Sequence, residues 1–64
     1  MTPMDRRELI RAGRWLADVR MDLEAQRAVS EVRGADLRVA GFLETAILSL
    51  QRMELELQAI LDRQ

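Results

Sequence analysis

The sequence predicts an all-α protein, an antiparallel helical hairpin (αα) that pairs into a homodimeric four-helix bundle. Three observations carry that expectation. Apolar residues recur at i, i+3, i+4 and i+7 through both halves of the chain. The one strong break between the halves is Arg33-Gly34-Ala35-Asp36. The apolar arc of the second half is about 140° wide at ~100° per residue, more than a single neighbouring helix covers.

The first helix is expected over about 3–33. Thr2 can cap it, Pro3 suits the first helical position, and Asp5 stands three residues after that cap in an acidic variant of the capping box. Leu9, Ala12, Leu16, Val19 and Leu23 continue the helix in alternating three- and four-residue steps, close to a coiled-coil seam. Ile10, Ala17, Met21 and Ala28 make a second stripe on another side. Gly13 lies inside this helix at a cost of roughly 1 kcal/mol relative to alanine, which points to a close neighbour.

Gly34 is the natural left-handed residue after a helix end, Arg33 favours the dipole there, and Asp36 can cap the second helix. A turn of about 34–36 is short enough to force the helices antiparallel. An unbroken helix through Gly34 is the alternative, but neither half keeps a strict heptad across the glycine.

The second helix is expected over about 36–62. Its main stripe runs Val39, Phe42, Leu43, Ala46, Ile47, Leu50, Met53, Leu57, Ile60 and Leu61, and Leu37, Leu48 and Leu55 form a thinner one well round from it. The chain is thus read as one helical-hairpin domain, 1–64. Two helices form a seam, not a core, and small chains without disulfides or metals commonly gain stability by oligomerising. The dimer core is expected to hold Leu16, Val19 and Leu23 from the first helix, and Phe42, Leu43, Ile47, Leu50, Leu57 and Leu61 from the second.

Composition narrows the chemistry. Cysteine, histidine, lysine and tyrosine are absent, which removes disulfides, the usual zinc ligands, thiol nucleophiles, Schiff-base amines and the commonest general base. No catalytic residue, metal or cofactor is expected. Ten arginines stand against eleven acids, for a net charge of −1, so no global field draws the chain to nucleic acid. The all-arginine basic complement fits a GC-rich bacterial or phage genome, or selection for guanidinium forks. No apolar run approaches a membrane span, and the charged Met1–Ile10 stretch lacks the apolar core of a leader, so a cytoplasmic protein is expected.

Four features are candidates for binding. Glu54 occupies the line of Ile47, Leu50, Leu57 and Leu61, where an apolar residue belongs. An antiparallel hairpin brings it near the level of Arg11 to Trp15, as a register-setting ion pair or a polar anchor for a partner. Arg7, Arg11 and Arg14 share one side of the first helix, with Trp15 just round the surface, and tryptophan and arginine dominate interface hot spots. Helical i, i+4 pairing would tie up part of the surface charge, as Arg14 with Asp18, Arg20 with Glu24 and Arg27 with Glu31. Leu48 and Leu55 would stay exposed in a simple dimer, and exposed apolar patches mark interaction sites.

In length and layout the chain is similar to the plasmid repressor-of-primer protein, a short hairpin that pairs into a four-helix bundle. The Arg14-Trp15-Leu16 run resembles that family's Arg-aromatic-aliphatic segment. The resemblance implies RNA binding through the first helices, although Asp18 and Asp22 continue the arginine row. The composition and exposed stripes point first to a non-enzymatic regulator, an adaptor or inhibitor that acts as a homodimer and masks a surface of an unidentified protein partner.

Overall fold

A computed structural model of the chain describes residues 5–34 and 36–63 and consists of two α-helices, α1 (Arg6–Arg33) and α2 (Leu37–Asp62). They pack side by side as an antiparallel hairpin measuring 46 × 21 × 14 Å. The shortest dimension is little more than one helix diameter, so the fold is a single layer.

The start of α1 departs from the expected capping. Asp5 is not one turn inside the helix but is itself the cap, with extended backbone at φ −75° and ψ 166°. Its carboxylate accepts from the backbone N–H groups of Arg7 at 2.7 Å and Glu8 at 3.1 Å. A carboxylate serves two orphan donors at once and meets the positive end of the helix dipole, which makes Asp5 a strong stop signal ahead of Arg6. Thr2 and Pro3 lie outside the described residues.

The turn obeys its chemistry. Gly34 is left-handed at φ 69°, and its N–H closes on Glu31 and Ser30 carbonyls. Asp36 caps α2 by accepting from Arg38 N–H at 2.9 Å. At the open end α2 has no basic residue in its last turn, and α1 supplies one: Arg6 Nη1 donates to the Leu61 carbonyl at 3.2 Å.

Between the helices runs one seam. Leu43 and Ile47 are its only buried residues among those described, at 5% and 3% exposure. Ala40, Ala46, Leu50, Leu57 and Leu61 line it half-buried from α2. Leu9, Ala12, Leu16, Val19 and Leu23 do so from α1, as their heptad-like spacing requires. Gly13 faces Leu57 closely: a Cβ there would stand 3.1 Å from Leu57 Cδ2. The glycine inside α1 therefore has a packing reason.

Candidate interaction surfaces

Glu54 lies in the seam, half-buried, and its carboxylate accepts from Arg20 Nε at 2.6 Å. Arg20 also donates through Nη1 to Glu24 at 2.9 Å, so one guanidinium bridges the two helices and its own next turn. The partner lies one turn further along α1 than the expected Arg11 to Trp15 level. Helical side chains lean toward their own N-terminus, and in antiparallel helices two such chains lean toward each other. Arg20 and Glu54 meet across that turn. The hydrogen bond from Arg20 to Glu54, and then the one to Glu24, holds the guanidinium above its ordinary pKa.

Of the expected i, i+4 ion pairs, Arg20 with Glu24 is present, and Arg52 with Glu56 forms one more at 3.6 Å. Arg14 with Asp18 and Arg27 with Glu31 are not within ion-pair distance. Among the described residues Arg7, Arg11 and Arg14 also have no carboxylate within 4.0 Å. The row is exposed guanidinium.

An open groove of about 370 Å³ lies along one face of the hairpin, lined by Ile10, Gly13, Arg14 and Ala17 of α1 and Glu54, Leu57, Gln58 and Leu61 of α2. Gly13, with no side chain, leaves its part of the lining open. The groove also fixes which flanks share a face. The Ile10–Ala17 flank of α1 and the Gln58 flank of α2 belong together, so the opposite flanks must share the other face.

Stepping at about 100° per residue from each seam places the remaining candidates. Trp15 and Val19 of α1 then share the second face with Val39, Phe42, Ala46, Met53 and Ile60 of α2. Trp15 is 63% exposed and Phe42 69%, with Val39, Met53 and Ile60 close to half. Phe42 takes no part in the hairpin seam. The same stepping brings Arg6, Glu24, Glu44, Gln51 and Asp62 onto the groove face, and Glu8, Asp22, Gln26 and Arg33 onto the Trp15 face. Leu48 and Leu55, 58% and 72% exposed, stand on the groove-side flank of α2, just beyond Glu44 and Asp62. Arg7, Arg11 and Arg14 stand on the outer edge of α1. The residues expected to bind a partner therefore do not form one patch: the arginine row and the two leucines stand at the two margins of the groove face, Arg14 lining the groove itself, with Trp15 on the opposite face.

The sequence singled out the arginine row, Trp15, the leucines and Glu54; it assigned Leu57 and Leu61 to a dimer core rather than to a groove floor, and did not mark Gln58. Gly13, the Ile10–Ala17 stripe, Arg14 and Glu54 were the groove's sequence signals. No helix among the described residues is long and apolar enough to cross a membrane, and no group of three or more potential metal-ligating side chains occurs there. No family model, curated protein or solved structure matches the chain.

Proposed function

We propose that the protein is a small cytoplasmic regulator, non-enzymatic, that acts as a homodimer and masks a surface of another protein. The observation that carries this reading is the groove with its arginine rim. Ile10, Ala17, Leu57 and Leu61 offer an apolar floor, and Arg14 at the rim continues into exposed Arg11 and Arg7. An apolar anchor side chain flanked by carboxylates matches that combination, so the partner is an acidic amphipathic segment. Leu48 and Leu55 extend the contact only if the partner reaches the α2 margin of the groove face. The composition, with no histidine, cysteine, lysine or tyrosine, supports binding rather than catalysis.

A second reading, RNA binding as in the repressor-of-primer bundle, is favoured by one observation: the arginine row has no carboxylate partner among the described residues. Phosphates would suit such guanidiniums. Asp18 and Asp22 beside the row, and a net charge of −1, weigh against it.

A pull-down from cell lysate separates the two. Wild type, Ile10→Glu and Arg14→Glu are compared with and without nuclease, at low and moderate salt. A protein captured after nuclease treatment at moderate salt, and lost with either substitution, supports the masking role. Capture of nucleic acid alone, removed by salt and by Arg14→Glu but indifferent to Ile10→Glu, would replace it with the RNA reading.

A further inference from the structure

On the homodimer reading, we propose that the second copy covers the Trp15–Phe42 face, and that Trp15 is a self-association residue rather than a partner contact. Area is the first argument. The chain exposes 5523 Å², whereas a globular monomer of 7.4 kDa exposes about 4,200 Å² by surface scaling. The excess of about 1,300 Å² is what each chain gives up in an obligate homodimer, where about 1,000 to 2,500 Å² per partner is buried.

Shape is the second. Folded domains are built of two packed layers, and a 14 Å slab is one. Stacking a second copy on one face completes the four-helix bundle.

Chemistry chooses the face. The groove side carries Arg20 tied to both Glu24 and Glu54, with Gln58 in the same groove as Glu54. Burying that side would desolvate a charge network that gains no new partner. The opposite side offers Trp15, Phe42, Met53 and Ile60, all of them about half or more exposed in the single chain, and its charged residues Glu8, Asp22 and Arg33 stand on the α1 flank with no ion pair to break among the described residues. Aromatic and methionine side chains are those enriched at interface centres. Covering this face leaves the groove and the arginine row open to the partner in both copies.

The test uses the absence of cysteine from the chain. Met53→Cys and Gln51→Cys are labelled with a maleimide above and below the dissociation concentration. Trp15 emission is tracked through the same dilution. The expected results are protection of Cys at 53 only in the dimer, no protection at 51, and a red shift of Trp15 emission on dissociation. Phe42→Glu should weaken self-association about 100-fold with helicity retained, since it buries a charge at the interface but not in the seam. A stable dimer that protects position 51 and leaves Trp15 emission solvent-like would overturn the face assignment while keeping the homodimer. A wild-type chain that stays monomeric at millimolar concentration would overturn the homodimer itself. If Phe42→Glu loses its helices, the labelling of the two cysteine variants still decides the face.

Discussion

The two helices are nearly equal in length and opposite in character. Twelve of the 28 residues of α1 are charged, against six of the 26 in α2. α1 buries no residue fully, while α2 buries Leu43 and Ile47 and still presents Val39, Phe42, Leu48, Met53, Leu55 and Ile60 to solvent. α1 is mainly charged with one seam stripe and scattered exposed apolar residues, and α2 is a helix with apolar surface for more than one neighbour. The hairpin leaves apolar surface on both helices, with Ile10, Trp15, Met21, Val29 and Val32 exposed on α1, and more of it on the second. That asymmetry separates what holds the hairpin together from what is left for association, and substitutions can probe each side of it.

The largest effect is expected in the seam. Ile47→Ala or Leu43→Ala removes one of the two buried side chains among the described residues, and should cost about 3 kcal/mol in chemical denaturation. Loss of cooperative unfolding in both variants is the extreme of the same outcome. If neither shifts the denaturation midpoint, the seam is not where the stability lies. Leu55→Ala, at the exposed edge, should change it by less than about 0.5 kcal/mol.

Gly34→Ala should cost about 1 kcal/mol, because its left-handed backbone is unfavourable for a residue with a Cβ. A similar magnitude with opposite sign is expected at Gly41, which has no atom within 4 Å of a built Cβ: Gly41→Ala should stabilise by about 1 kcal/mol through helix propensity. The smallest effect belongs to Gly13→Ala. There the same propensity gain is offset by the 3.1 Å approach to Leu57, whose terminal methyl must give way. A thermal melt of the Gly41 and Gly13 variants side by side measures that difference directly, and equal gains would show that the close approach at Gly13 costs nothing.

The polar seam tests in the other direction. Arg20→Leu with Glu54→Leu turns an interhelical ion pair into an apolar contact, and the double variant should melt higher than wild type. The wild-type pair is insensitive to pH on its guanidinium side. A raised pKa gives stability that is complete below the unfolded-state value and is lost only as pH climbs through the folded one, well above the neutral range. A melting temperature that falls between pH 7 and 9 would assign the pair a different role.

Much of this was legible in the residues. Gly34 and Asp36 announced the turn because each has a single backbone task, and the apolar spacing announced the seam. Glu54 was visible as an interruption of an apolar line, and Gly13 as a helix-breaking residue that needed a neighbour. The identity of Glu54's partner was not, because register alone points to the residue level with it, while the N-terminal lean of both side chains carries the contact one turn on to Arg20. That Arg20 stands four residues after Leu16 and three before Leu23, on the seam itself, was the available clue. The cap moved from Thr2 to Asp5 because two plausible caps competed and a carboxylate serves two donors. The arrangement of the candidate binding residues could not be read from one helix at a time. Only the pairing of flanks, fixed by the groove, separates Arg7, Arg11 and Arg14 from Leu48 and Leu55.

The central claim is that α2 carries apolar surface that α1 leaves uncovered and a second copy covers. Sedimentation equilibrium of the unmodified chain over a wide concentration range tests it most directly. The expected result is a species of twice the 7.4 kDa chain mass that dissociates on dilution with loss of helicity. A monomer of full helicity at every concentration would contradict it, since the hairpin would then be stable with half of α2 in water.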